Sequence, residues 1–232
     1  MKNIAIIPAR GGSKRIPRKN IKDFLGKPII SYSISAALSS NLFDVVMVST
    51  DDKEIAEISI KFGAVVPFYR SEKNSNDFAS TFDVIEEVIL NYKNIDIKFD
   101  YICCIYPCAP FVSSKNLIDS FNILKEKNFD TVFPIIPYSF PVQRALKMKE
   151  DKLDFLYPEF SLDRSQDLEL SYHDAGQFYW LNGEKLMTEK KILTSNSGGI
   201  LISEMEGQDI DNETDWMLAE LKFNLIKINS CS

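Results

Sequence analysis

A single histidine, His173, is all that the 232-residue chain contains. That removes most zinc sites and argues against a Ser-His-Asp hydrolase, since both chemistries draw on imidazole. Cysteine is nearly as scarce: Cys103, Cys104, Cys108 and Cys231 show no CxxC spacing. Cys103 and Cys104 sit inside an apolar run, so buried, reduced thiols are expected. Any metal must then be held by carboxylates, which points to a hard cation such as Mg²⁺. No apolar run approaches the roughly 20 residues that span a bilayer. The opening MKNIAIIPARGG lacks a signal-peptide core and a small-residue cleavage site, so we expect a soluble, cytoplasmic protein. Glycine and proline, 9 and 10 residues, are too few for a low-complexity or fibrous chain. Positive charge is in deficit: the net charge is −6, which argues against a protein built to grip nucleic acid. A local cluster of Arg and Lys can still hold polyphosphate whatever the total.

What remains is 45% hydrophobic and 26% charged, the balance of one globular core. Asn3–Pro8 (NIAIIP) reads as a buried parallel strand, and Asp44–Ser49 (DVVMVS) as a second. A third, short strand is expected at Ala64–Pro67, with further strands at Tyr101–Ile105, Thr131–Ile136, Gln177–Leu181 and Gly199–Ile202. Helical patterns cover Pro28–Ser40, a stretch started by the capping-box pattern Asp51-Asp52-Lys53-Glu54 and running to about Phe62, Thr81–Tyr92 capped by Ser80, Ser114–Lys127, and about Asn212–Asn224. This alternation predicts an α/β fold with a mainly parallel sheet and helices on both faces. Around Lys149–Asp151 the pattern becomes a hairpin standing outside the alternation, and a polar stretch follows at Phe160–Tyr172. A protruding hairpin needs a partner surface.

Two constellations carry chemistry. After the first strand comes Ala9-Arg10-Gly11-Gly12-Ser13-Lys14-Arg15-Ile16-Pro17-Arg18-Lys19-Asn20. Its glycines let backbone approach a ligand, its cations suit phosphates, and strand ends are where open α/β sheets bind ligands. Neither GxxxxGK[ST] nor GxGxxG is present, which excludes a P-loop NTPase and an ordinary dinucleotide site. A merely solvated basic loop is the plainer alternative. The second constellation is Asp209-Ile210-Asp211, before the last helix. Alternating residues of an extended segment point the same way, so both carboxylates can reach one cation, unless Asp211 simply caps the helix.

The basic loop resembles the CTP-binding signature of the CMP-sialic acid synthetase family. Three further segments resemble that family in the same order: Tyr69-Arg70 with Asn76-Asp77-Phe78-Ala79-Ser80-Thr81, then Tyr106-Pro107-Cys108-Ala109-Pro110-Phe111, then Asp209-Ile210-Asp211 with Asp215. Arg15, Arg18, the Tyr106–Phe111 segment and Asp174–Trp180 look most like its pseudaminic acid branch.

The resemblance implies a Rossmann-like three-layer sandwich of the nucleotide-diphospho-sugar transferase type. It would be a single domain over residues 1–232, with an insertion at about 138–172 used to form a homodimer. It implies a Mg²⁺-dependent cytidylyltransferase, moving CMP from CTP to the anomeric hydroxyl of pseudaminic acid and releasing pyrophosphate. That is an activation step before glycosylation of surface structures such as flagellin. Arg10, Gly11, Gly12, Ser13, Lys14, Lys19, Asn20, Arg70, Asp77, Ser80 and Pro107 would bind CTP. Lys19, Asp211 and Arg10 would carry catalysis, and Asp209 and Asp211 the metal. Tyr106, Arg144, Arg164, His173, Gln177 and Tyr179 would meet the sugar, the arginines at its carboxylate. Tyr106, Phe111, Val112, Phe140, Phe178 and Tyr179 would offer apolar surface favouring pseudaminic over N-acetylneuraminic acid, although Phe178 alone reads as core. Activation of N-acetylneuraminic or legionaminic acid, a DxD glycosyltransferase and a non-catalytic nucleotide-binding subunit are the alternatives.

Overall fold

Residues 1–230 are described by a computed structural model; Cys231 lies outside the described residues. In chain order, β1 (Asn3–Pro8) leads to a small hairpin of β2 (Asp23–Phe24) and β3 (Lys27–Pro28), then α1 (Ile30–Ser40), β4 (Val45–Ser49) and α2 (Lys53–Lys61). Next come α3 (Thr81–Lys93), β5 (Tyr101–Ile105), α4 (Ser114–Glu126) and β6 (Thr131–Pro137). A second hairpin, β7 (Leu146–Lys149) and β8 (Lys152–Phe155), precedes β9 (Tyr172–Asp174), β10 (Phe178–Asn182), α5 (Gly183–Glu189), β11 (Ser197–Leu201) and α6 (Glu213–Ser230).

Ile4 to Ile7 of β1 are fully buried, as a strand covered on both faces requires. β1 lies between β4 and β5, parallel to both, in a sheet ordered β11-β6-β10-β5-β1-β4 with β9 beside β6. β10 runs antiparallel to β5 and β6, and β9 antiparallel to β6, so the sheet is mixed but mostly parallel. An apolar run does not record strand direction, which is why β10 could be placed from sequence but not oriented. Helices start where side-chain acceptors allow. Asp52 accepts from the Ile55 N–H, Ser80 and Asp83 form a reciprocal box, and Ser113 accepts from the Asn116 N–H.

The third strand expected at Ala64–Pro67 is reduced to one bridge between Met47 and Val65. Val65 exchanges bonds with Val46 and Val48, and the ladder then stops, since Pro67 has no N–H to continue it. Helix α5 was not anticipated, and α6 runs on to Ser230 rather than ending near Asn224. The β7–β8 turn is tight: Glu150 and Asp151 take φ of 50° and 61°, as a two-residue primed turn demands. Its cross-strand pairs Leu146–Phe155 and Met148–Leu153 are apolar, and Leu146, Met148 and Leu153 are exposed. Among the described residues no helix is long and apolar enough to cross a membrane.

The packing that matters most for the site is a small cluster under the basic loop. Phe24, fully buried, meets Tyr32, Trp216 and Phe223 edge-on at 5.5, 5.6 and 5.6 Å. Ile16 from the loop, Phe111 after β5 and Ile210 join the same cluster. Six separate chain segments are thus pinned at one point. Phe24→Ala should cost about 3–5 kcal/mol in urea unfolding, the range for emptying a buried aromatic site. A loss under about 1 kcal/mol would show that the cluster collapses to fill the gap and does not support these segments.

Candidate functional site

The loops following β1 and β5 enclose a cavity of about 560 Å³ at the carboxyl edge of the sheet. The basic loop contributes Arg10, Ser13, Lys14, Arg15, Lys19 and Asn20; Tyr106, Pro107 and Cys108 form a second wall, and Asp209 and Asp211 a third. A smaller adjoining cavity of about 240 Å³ shares Arg10, Asp77 and Tyr106 and adds Arg70 and Ser80.

Each wall is positioned by identifiable bonds. Buried Asn20 donates to the Arg10 carbonyl at 2.9 Å, closing the mouth of the loop, and accepts from the Cys108 thiol at 3.2 Å. Burial pushes the Cys108 pKa up to about 12, so this group stays a thiol. Arg70 is buried and donates to the Ser49 Oγ and carbonyl at 3.1 and 2.5 Å; burial lowers its pKa. Ile210 is buried in the aromatic cluster, so the alternation of an extended segment turns its neighbours Asp209 and Asp211 to the cavity.

Cations and carboxylates face one another across this space. Arg10 and Lys14 share Asp77 at 2.7 and 2.5 Å, and Arg15 meets Asp211 at 2.8 Å. The Lys19 ammonium donates to the Ile210 carbonyl at 2.6 Å and stands 3.9 Å from the Asp211 carboxylate. Burial, and then the charge of Asp211, raise the Asp209 pKa. No group of three or more His, Cys, Asp or Glu side chains suited to a metal occurs among the described residues. Two hard oxygen donors nevertheless fit Mg²⁺, which completes its shell from water and phosphate oxygens. Asp211 is not the helix cap: Asn212 accepts from the Asp215 N–H, and Asp215 in turn accepts from the Asp211 and Asn212 N–H groups.

Several expected residues lie elsewhere. Gly12 faces open space, and the Gly11 N–H is taken by Asp51 at 2.9 Å rather than offered to the cavity. Arg18, counted among the phosphate-facing charges, turns outward to Asp52 and Glu54. Gln177 is 1% exposed, and neither it nor Tyr179, whose hydroxyl bonds Asp174, lines the cavity. The His173 ring packs against Tyr138 at a tilt of 57°, with centroids 5.0 Å apart. Arg144 donates to the Asp163 carbonyl and lines a different cavity, while Arg164 pairs with Asp167; both belong to the protruding segment. The expected apolar sugar surface does not assemble. Phe111, Val112, Phe178 and Tyr179 are packed in the core, Phe140 is 83% exposed, and only Tyr106 of that set reaches the cavity. Sequence reasoning missed Asp51, Asp52 and Glu54 as loop supports, because their pattern also describes a helix start.

The family described as cytidylyltransferase matches residues 4–190. This chain belongs to that family. It is 40% identical to a pseudaminic acid cytidylyltransferase of Campylobacter jejuni, over 99% of this chain and 98% of that one. It is 32% identical to a CMP-N,N'-diacetyllegionaminic acid synthase of Legionella pneumophila, over 95% of each. The fold is similar to that of a solved CMP:2-keto-3-deoxy-manno-octonic acid synthetase complexed with CTP, with a TM-score of 0.70 at 18% identity, covering 98% of this chain and 99% of that one.

In this cytidylyltransferase, Lys14 and then Arg10 hold the Asp77 carboxyl below its ordinary 3.8. A depressed folded-state value means that the pairing adds stability above 3.8 and loses it as pH falls through the lower folded value. A carboxyl-carbon NMR titration should place Asp77 below 3.8, and Lys14→Ala should move it back up. An unmoved midpoint would dismiss the Lys14 contact.

Proposed function

We propose that this cytidylyltransferase activates pseudaminic acid, joining its anomeric hydroxyl to the α-phosphorus of CTP. One observation carries the reading: the Lys19 ammonium and the Asp211 carboxylate face each other at 3.9 Å across the cavity formed at the strand ends. That supports reading the basic loop as a phosphate-binding surface opposed by an acidic wall.

In the reaction the hydroxyl oxygen bonds to the α-phosphorus as the bond from that phosphorus to the α–β bridging oxygen breaks; pyrophosphate leaves with that electron pair and the hydroxyl proton passes to water. Little covalent work falls to the protein; positioning and charge neutralisation dominate. Arg10 and Lys14, already turned inward on Asp77, exchange that carboxylate for phosphate oxygens. Lys19 meets the charge that develops at the α-phosphate. Arg70 and Ser80, in the adjoining cavity with Arg10, receive the nucleoside end. Asp209 and Asp211 are the residues that would hold Mg²⁺, which when bound supplies neutralisation of triphosphate charge. Burial and mutual repulsion of the two carboxylates favour a cation there.

The choice of sugar rests on relatedness, 40% identity to the pseudaminic acid enzyme against 32% to the legionaminic acid enzyme. Pyrophosphate release from CTP, measured by kcat/KM over a panel of nine-carbon keto-acid sugars, should favour pseudaminic acid. A preference for N-acetylneuraminic or legionaminic acid would overturn the substrate but spare the reaction; release of a nucleoside diphosphate from a nucleotide-sugar would overturn both. Asp211→Asn should raise the Mg²⁺ requirement or abolish turnover, because an amide supplies no charge to a hard cation. An unchanged Mg²⁺ titration would remove Asp211 from the metal.

The same reading includes a cytoplasmic homodimer, formed where CTP is made. The exposed apolar pairs on β7–β8 support it, since an isolated two-stranded hairpin is marginal in water. Arg144 and Arg164 lie on that protruding segment, so they serve a sugar carboxylate only if the dimer carries them to the other protomer's cavity. Sedimentation equilibrium should show a dimer that Met148→Glu with Leu153→Lys converts to monomer. A wild-type monomer would refute the hairpin's role.

A further inference from the structure

The outer side of the basic loop is held by three carboxylates at the start of α2. Arg18 takes a left-handed backbone, φ 55° and ψ 30°, which side-chain-bearing residues rarely adopt and glycine adopts freely. Its guanidinium forms a two-pronged pair with Asp52, at 2.5 and 3.0 Å, and a further bond to Glu54 at 2.5 Å. Asp52 at the same time accepts from the Ile55 N–H at 3.0 Å as the cap of α2. At the other end of the loop, Asp51 holds the Gly11 N–H, and a Cβ on Gly11 would come within 2.9 Å of the Asp52 Oδ2. Residues 11 and 18 are therefore both fastened to one junction, between β4 and α2. The Arg18 carbonyl accepts from the Ile21 and Lys22 N–H groups, so the bend at Arg18 also starts the turn that carries Lys19.

We propose that Arg18 and Asp52 are positioning residues: their two-pronged pair maintains the left-handed bend and so sets how far Lys19 reaches into the cavity. Several observations converge on this. The pair is planar on both sides and resists rotation, as a guanidinium–carboxylate fork does. Arg18 is only partly exposed, and its partner Asp52 is fixed by a second bond to the helix. The next residue, Lys19, ends at the Ile210 carbonyl with its ammonium turned to Asp211. A cation's contribution to a developing charge falls steeply with misplacement, so holding the bend matters to rate more than to folding. The inference rests on the reading that Lys19 meets the CTP phosphates.

Two substitutions separate the clamp from the fold. Arg18→Gly keeps a residue that accepts φ 55° without strain and removes the guanidinium with its bonds to Asp52 and Glu54. Asp52→Asn keeps a good helix cap and removes the charge. In the pyrophosphate-release assay on the full chain, each should lower kcat, by about tenfold for Arg18→Gly, with KM for the sugar and the melting temperature little changed. Added to Lys19→Ala, Arg18→Gly should change turnover by less than about twofold, because the two act through the same ammonium. A full tenfold loss persisting in that background, or wild-type kcat in Arg18→Gly beside an impaired Lys19→Ala, would overturn the positioning role alone. Wild-type turnover in Lys19→Ala would overturn the phosphate role of Lys19 and the inference with it. Should Arg18→Gly fail to fold, Asp52→Asn alone and in the Lys19→Ala background gives the same comparison.

Discussion

Everything at this site depends on holding many like charges in one short loop. Arg10, Lys14, Arg15, Arg18 and Lys19 lie within one connection after β1, and two such charges 4 Å apart near a protein surface repel by about 4 kcal/mol. The chain answers by placing carboxylates on both sides. Asp52 and Glu54 draw Arg18 outward, while Asp77 and Asp211 draw Arg10, Lys14, Arg15 and Lys19 inward. The inner pairs are well exposed, and such pairs contribute little to stability. Their effect is to decide direction. In the proposed reaction, triphosphate would meet cations that are already aimed, which would lower the reorganisation required.

A second constraint is mechanical. Basic loop, β2–β3 hairpin, α1, the segment after β5, the acidic segment and α6 all send apolar side chains into the cluster around Phe24. The spacing of Lys19 from Asp211 therefore does not depend on their own weak attraction; Ile16 and Ile210, buried in common packing, keep the two walls in register. Dense packing under a flexible-looking loop is what allows glycine-containing backbone to serve as a fixed site. Gly11 is needed there for clearance against Asp52 more than for a donor to the ligand.

Much of this was legible beforehand. Apolar runs at β1, β4 and β5 announced a buried parallel sheet, and Ser80 and Ser113 sit where helix starts require acceptors. The basic loop and the Asp209–Asp211 pair were visible because each concentrates its chemistry within a few consecutive residues. What escaped was of two kinds. Gln177, Tyr179, Phe111 and Val112 lie beside site residues in sequence yet are buried: Tyr179 is on β10, a central strand covered on both faces, Gln177 immediately precedes that strand, and Phe111 and Val112 pack into the core from the turn after β5. The reading of Asp51-Asp52-Lys53-Glu54 as a helix start was incomplete: the cap is Asp52, whose Oδ1 accepts from the helix while both of its oxygens also hold an arginine from a distant loop.

The sequence by itself determined the composition of the site: which cations, which carboxylates, and an α/β alternation that delivers loops to one edge of a sheet. Residue types and local periodicity are properties of consecutive positions, so no tertiary knowledge was needed for them. Only the tertiary structure decided the pairing of these charges, the direction of β10 and the outward turn of Arg18. Those outcomes depend on contacts between positions up to about 200 residues apart, such as Arg15 with Asp211. Which carboxylate captures which cation is settled by the packing that brings them within 3 Å, and nothing in the order of the residues records that distance.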